Sequence, residues 1–194
     1  MARNTQNQLT EALRSLMVKK DLDSITVQEL ADEANVNKKT FYYHYHGMAD
    51  LLSWMYASRF YALIDTEGVT AENWMDHLQK VSAEIRKDKA VLSAIYASSY
   101  APGFRQSITR MFDRAVEKYV RSSMKQWEME QGRPLVLSGT AMAYLVSYHS
   151  MALFGMVEQW FHRGMQESDE EFAQMIRMLS NDSLFRAFSL MNAI

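Results

Sequence analysis

Cysteine is absent from this chain of 194 residues. That removes disulfides, thiolate zinc sites and cysteine nucleophiles together, and it fits a reducing compartment. Proline occurs 2 times and glycine 7 times, too few breakers for a sandwich or barrel of many short strands. A marked excess of either sign of charge is missing too. With a formal net charge of −2, no whole-molecule field attracts phosphate, so any binding to nucleic acid must come from a local patch. The opening residues MARNTQNQLTEALRSL lack the apolar segment of a secretory signal, and a cytoplasmic protein is expected. Also missing are a nucleophile motif, a glycine-rich phosphate loop and an HExxH zinc signature. His149 or His162 could act as a base, but without such a motif neither an enzyme nor a metal or cofactor is expected.

One long run lacks charge altogether. From Leu135 to Val157 there is no Asp, Glu, Lys or Arg, a length sufficient to span a bilayer. Ser138, Thr140, Ser147, His149, Ser150 and two tyrosines interrupt it, and no cationic cluster flanks it, which argues against the membrane. In a chain that is 48% hydrophobic, a helix apolar nearly all round is expected to be buried on two sides.

What is present reads as helix throughout. Leu9, Ala12, Leu13, Leu16 and Met17 recur at three and four, predicting a first helix to about Lys20. After a short polar break, Thr26-Val-Gln-Glu29 has the form of a capping box for a second helix reaching about Ala34. Asn35 suits a left-handed turn position. Asn37 caps a third helix from Lys38, Gly47 ends it, and Asp50 lies in the first turn of a fourth helix towards Ile64. Beyond Gly68, helices are expected at about Ala71–Lys87, Lys89–Ser98, Phe104–Glu130, Leu137–Arg163 and Asp169–Ser180, with a last one from Ser183. Pro102-Gly103 and Gly132-Arg133-Pro134 serve as breaks, and Ser168-Asp-Glu-Glu171 is a second capping box. The expected fold is all-α, with a three-helix head over residues 1–47 and a helical body over 48–194.

The head is a helix-turn-helix, two helices joined by a four-residue turn. Leu30, Ala31, Ala34, Val36, Phe41 and Tyr45 can face Leu13 and Leu16 of the first helix. Lys38, Lys39, Thr40, Tyr42, Tyr43, His44 and His46 remain for the outer faces, because so short a helix cannot bury all its sides. Such a helix fits the major groove of DNA. Lysine can donate to guanine, tyrosine can contact thymine methyls, and Thr40 and His44 can donate to phosphate. A metal at His44 and His46 is disfavoured, since positions i and i+2 do not share a helix face.

The segment ITVQELADEANVNKKTFYYHYHGMADLL resembles the helix-turn-helix of the TetR family of one-component bacterial repressors. Thr26, Leu30-Ala31, Ala34, Val36, Thr40-Phe41-Tyr42, His44 and Leu51 stand in register, and the likeness covers roughly residues 8–55. It implies that Gln28, Lys38, Lys39, Tyr42 and Tyr43 read bases of a double-stranded operator, while Thr26, Thr40 and His44 hold phosphate. There are departures. Asn35 stands where the family usually has Gly, Lys39 replaces a small residue, and Met48 replaces a lysine that commonly grips the DNA backbone. To Gly47 the chain carries six basic residues (Arg3, Arg14, Lys19, Lys20, Lys38, Lys39) and six acidic ones (Glu11, Asp21, Asp23, Glu29, Asp32, Glu33). It is no generic phosphate sponge.

The run MALFGMVEQWFHRGMQESDEEFAQMI is similar to a branch described as regulators like those of dihydroxyacetone utilisation, through Trp160, Gly164 and Ser168. That likeness implies a homodimer in which the eighth and ninth helices pair with their symmetry mates, and Trp160, Phe172, Met175, Ile176 and Leu179 are expected at the interface. Trp54, Phe60, Trp74, Tyr96, Tyr100, Met111, Phe112, Tyr119, Tyr144, Tyr148 and His149 can line a ligand pocket. The chain's 15 methionines would make it adaptable. A solid core is the alternative reading of the same stripe. The uncharged eighth helix points to a neutral or apolar small-molecule effector, with Ala152 as the position where a larger side chain would fill the cavity. The fourth helix is expected to be the only covalent rod carrying the signal. A body that binds a protein partner instead is the competing expectation.

Overall fold

The computed structural model describes residues 2–65, 70 and 72–191, and the regular structure there is helical. In chain order come α1 (Ala2–Lys19), a 3-10 turn (Leu22–Ser24), α2 (Val27–Glu33), α3 (Lys38–His44), α4 (Met48–Asp65), α5 (Trp74–Lys87), α6 (Lys89–Ala97), α7 (Ala101–Gln131), α8 (Gly139–His162) and α9 (Asp169–Met191). No helix among the described residues is long and apolar enough to cross a membrane.

Contacts divide the chain into two compact units, Met1–Arg59 with Asp88–Ile108 and Phe60–Lys87 with Thr109–Ile194. A single cut after residue 47 does not describe this grouping, because the first half of α4, all of α6 and the start of α7 cluster with the head. The backbone therefore passes between units after Arg59, after Lys87 and after Ile108. α4 is not the only covalent rod.

In the first unit α1 packs on α2 and α6, and α2 packs on α3. The helical spacing of Leu9, Leu13, Leu30, Ala31 and Phe41 puts all five in the core, joined by Leu51 and Leu52 of α4. Val36 is only half-buried. The polar break after α1 is one 3-10 turn that buries Leu22, while Asp23 accepts hydrogen bonds from the Ser99 backbone N–H (3.1 Å) and hydroxyl (2.7 Å). α3 stops at His44, earlier than the glycine at 47 implies. Tyr45 is extended and its ring is buried, so core packing ends the helix before Gly47 is reached.

In the second unit α5 packs against α8 and α9, which also pack on each other. Its turn between α8 and α9 explains the Trp-x-x-x-Gly spacing. The Met165 N–H donates to the Trp160 carbonyl (2.9 Å), and the Gly164 N–H donates to the Phe161 carbonyl (3.0 Å). This is a Schellman closure, and it needs a left-handed residue at Gly164, where φ is 90° and a side chain would be strained. Arg86 fastens the same turn, donating to the carbonyls of Met165 (2.7 Å) and Glu167 (2.6 Å) and lying 5.1 Å over the Trp160 ring.

Three further boundaries differ from expectation. α7 begins at Ala101 with Pro102 inside its first turn, where the missing N–H has no helical partner to lose; Pro102-Gly103 is a helix start. α8 begins at Gly139, capped by the Ser138 hydroxyl, which accepts from the Ala141 N–H (3.1 Å). α9 is one helix to Met191, with no restart at Ser183. Its opening box forms as the sequence predicts, with Ser168 and Glu171 exchanging bonds of 2.8 and 3.1 Å. The break at Gly68 and the start at Ala71 lie outside the described residues.

Candidate functional site

Two local motifs build the helix-turn-helix. Thr26 Oγ1 accepts from the Glu29 N–H (3.2 Å), and Glu29 accepts from the Thr26 N–H (2.9 Å), so the capping box closes. At the other end of α2 the Val36 N–H donates to the Ala31 carbonyl and the Asn35 N–H to that of Asp32, with Asn35 at φ 51°. Asn35 therefore fills the left-handed slot that glycine usually occupies, as Asn can. Asn37 Oδ1 then accepts from the Lys39 N–H (2.8 Å) and starts α3.

The charges around α3 are arranged asymmetrically. Two acids of α2 are engaged by α1 and the residue that follows it: Glu29 with Lys20 (2.6 Å), and Glu33 with Lys19 (3.0 Å) and Ser15 (2.7 Å). The Lys20 hydrogen bond, with those from Thr26, pulls the Glu29 carboxyl down to about 2. Hydrogen bonds from Ser15 and Lys19 lower that of Glu33. Lys38 and Lys39 are exposed at the opening of α3, and among the described residues neither pairs with an acid. Tyr42 and Tyr43 are exposed beside them. Thr40 and His44 are half-buried, which limits each to a partner at the rim of the helix.

Two expected contacts are already occupied. The Thr26 hydroxyl lies 2.9 Å from Glu29 Oε2 and donates to it, so its proton is spent on the cap. Gln28 Nε2 donates to Asp32 Oδ1 (2.8 Å) and must release it to reach a base. Met48 is buried and belongs to the core.

The residues expected at a dimer interface separate into two sets. Trp160 stacks on Phe172 with ring centroids 4.4 Å apart, and both are buried within this chain, as is Ile176. They are core, because the turn clamped by Arg86 folds the end of α8 onto the start of α9. Met175 and Leu179 lie on the opposite, exposed face, with Met178 and Leu190. α8 is one-sided in the same way: it buries Leu145, His149, Phe154 and Val157, whereas Tyr144, Tyr148 and Met151 stay exposed. Tyr148 is 63% accessible, so the pocket expected around it is not there. Ala152 is exposed too and cannot fill a cavity.

A cavity of about 80 Å³ does exist in the second unit. It is lined by Trp74, His77, Leu78 and Val81 of α5, Met111, Phe112, Ala115, Val116 and Tyr119 of α7, His149 and Leu153 of α8, and Ser180 of α9. Of the expected lining residues it gathers Trp74, Met111, Phe112, Tyr119 and His149. Trp54, Tyr96 and Tyr100 belong to the first unit, where Trp54 meets Tyr45 and Tyr96 meets Phe104 edge-on. Phe60 is buried but not at the cavity. His77, Leu78 and Val81 are not among the expected lining residues, although Trp74, Leu78, Val81 and Ile85 form a legible apolar stripe on α5. Among the described residues no cluster of three or more His, Asp or Glu side chains could hold a metal ion.

An α3 whose lysines are left unneutralised, projecting from a doubly capped turn, is built to enter a DNA groove, and helix-turn-helix DNA-binding proteins are the class this head defines. Comparison with known families narrows it. Residues 9–54 match the model described as bacterial regulatory proteins, tetR family, and residues 72–182 match that of a transcriptional regulator C-terminal region. The chain belongs to the TetR family of DNA-binding transcriptional regulators. Among solved structures it is similar to the dihydroxyacetone kinase operon activator DhaS, at 18% identity and a TM-score of 0.66, covering 97% of this chain and 98% of that one. It is also similar to NalD, the secondary repressor of the MexAB-OprM multidrug efflux pump in Pseudomonas aeruginosa, at 12% identity and a TM-score of 0.54 over 96% of each chain. RolR in complex with resorcinol is similar at 18% identity and a TM-score of 0.55, over 97% of this chain and 94% of that one. At such identities the likeness is one of fold. No curated protein matches the chain.

Proposed function

We propose that this regulator binds a near-palindromic operator as a homodimer in the cytoplasm and represses transcription until a small neutral effector releases it. The observation that carries the operator reading is the pair Lys38 and Lys39, free of acids among the described residues at the opening of α3, while Glu29 is held by Lys20 and Glu33 by Lys19. Lys38, Lys39, Tyr42 and Tyr43 read bases in this reading, Gln28 does so after leaving Asp32, and Thr40 and His44 hold phosphate. Thr26 serves through its cap. The dimer reading rests on the exposed apolar faces of α8 and α9, where Tyr144, Tyr148 and Met151 stand on one helix and Met175, Met178 and Leu179 on the other. Two-fold symmetry of the protein then imposes symmetry on the DNA.

The effector reading is supported by the cavity and by the structure of RolR, a protein of similar fold, in complex with resorcinol. α5 contributes Trp74, His77, Leu78 and Val81 to the cavity and ends at Lys87, directly before Asp88 of the first unit. An effector that favours one setting of α5 can therefore shift the head, by as much as its differential affinity for the two states. The test is a random-site selection with purified dimer, repeated with small neutral molecules present. A symmetric consensus, lost on addition of one of them, is expected; an absence of any sequence preference would refute the regulator's operator model.

A further inference from the structure

Two histidines share the wall of the second-unit cavity, and their tautomers are legible. His77 Nδ1 lies 2.6 Å from the Leu63 carbonyl oxygen, and His149 Nδ1 lies 2.9 Å from that of Leu145. A carbonyl oxygen only accepts, so each ring donates from Nδ1. In the neutral ring Nε2 is then left with a lone pair and no proton. His77 Nε2 has no partner among the described residues. The nearest hydroxyl to His149 Nε2 is that of Ser183, at 3.4 Å, and its single proton has a closer acceptor in the Ser180 carbonyl at 2.9 Å. Both rings are buried. The histidines that line the cavity thus carry one acceptor without a partner among the described residues, His77 Nε2, and one with only the long Ser183 contact, His149 Nε2, in surroundings otherwise almost wholly apolar.

We infer that the effector is a compact neutral molecule with an apolar body and at least one O–H donor, a phenol or small cyclic alcohol, recognised by the Nε2 atoms of His77 and His149. This rests on the effector reading above and specifies its chemistry. A ligand without a donor would seal the two acceptors away from water unpaired, and a buried polar group left without its bond is penalised. A carboxylate would bring further acceptors to a wall that already has an excess of them, and its charge would be buried without a cation. Size sets a second limit. The cavity's 80 Å³ is about half the roughly 150 Å³ of an engineered apolar cavity that takes up benzene. One ring is the upper bound, and even that requires the flexible Met111 side chain to yield.

The test is calorimetric titration of the full chain in one mildly alkaline buffer. Phenol is compared with anisole, and cyclohexanol with cyclohexyl methyl ether. Each pair shares its ring and differs in the donor. The hydroxylated member is expected to bind at least about tenfold more tightly, and His77→Phe or His149→Leu should reduce that ratio. The wild-type comparison stands by itself if either variant fails to fold. Ethers that bind as well as their parent alcohols, or a ratio unchanged in both folded variants, would overturn the donor assignment while leaving the effector cavity intact. If no member of either pair binds, the effector reading falls as well, and this inference with it.

Discussion

Arg14 and Asp88 meet through two parallel bonds, Nη1 to Oδ1 at 2.7 Å and Nη2 to Oδ2 at 2.5 Å. Asp88 Oδ2 also accepts from the Tyr56 hydroxyl (3.0 Å) and from Arg59 Nη1 (2.8 Å). One carboxylate at the start of α6 thereby ties α1 to α4 inside the first unit. Burial opposes its charge, yet hydrogen bonds and charge from Arg14, with Tyr56 and Arg59, hold the Asp88 carboxyl below its usual range.

That depression fixes a pH dependence. The unfolded carboxyl takes up its proton near pH 4 and the folded one only at lower pH, so the stabilisation is complete above about pH 4 and is lost as pH falls through the folded value. Asp88→Asn should cost about 2–3 kcal/mol at neutral pH, less than the about 3–5 of a fully buried pair because Arg14 keeps some exposure. The gap between wild type and variant should narrow below about pH 4. Urea unfolding at a series of pH values measures both, and a gap independent of pH would contradict the assignment.

Lys38 and Lys39 should behave unlike His44 in DNA binding. Lys38→Ala or Lys39→Ala is expected to relax preference at one base pair per half-site, by about 1–3 kcal/mol if the lysine reads guanine. His44→Ala should weaken all sequences alike, since a phosphate contact carries no base information. Fluorescence anisotropy against a panel of single-base operator variants separates these patterns.

The two faces of α9 predict opposite outcomes for the same kind of change. Met175→Glu combined with Leu179→Glu should leave a folded chain, by circular dichroism, that sediments as a monomer and has lost its operator affinity. Trp160→Glu removes a ring stacked on Phe172 and buries a charge, which should cost about 3–5 kcal/mol or more and unfold the second unit. A monomeric wild type with full operator affinity would eliminate the dimer proposal.

Filling the cavity requires Ala115, not Ala152. Ala115→Phe should keep the fold, leave the melting temperature unchanged or higher, and abolish effector-induced release from DNA. A core with no usable space would instead show overpacking, a loss of about 1–3 kcal/mol in the same thermal melt.

Much of the head can be read from sequence because its determinants lie within six residues of one another. Thr26 with Glu29, Ala31 with Val36 across Asn35, and Asn37 with Lys39 are bonds between near neighbours, so residue type and spacing suffice to predict them. The same holds for Trp160 with Gly164 and Met165, and for Ser168 with Glu171. The free lysines of α3 follow once the helix start is known.

Facing could not be read in that way. Tyr148 and His149 are adjacent, yet one ring is exposed and the other lines the cavity; Met175 and Ile176 part in the same manner. A helix apolar nearly all round has no stripe to orient it, so the neighbours that pack on α8 decide which side is inside. Arg14 and Asp88 are 74 residues apart, and nothing in either local segment points to the other. By itself, then, the sequence determined the helices, their caps and the reading head, because backbone bonding and short-range side-chain chemistry act within a turn or two. The cavity, the exposed faces of α8 and α9, and the carboxylate that ties α1 to α4 were decided only by the tertiary structure, because burial belongs to how distant helices pack and not to any one of them.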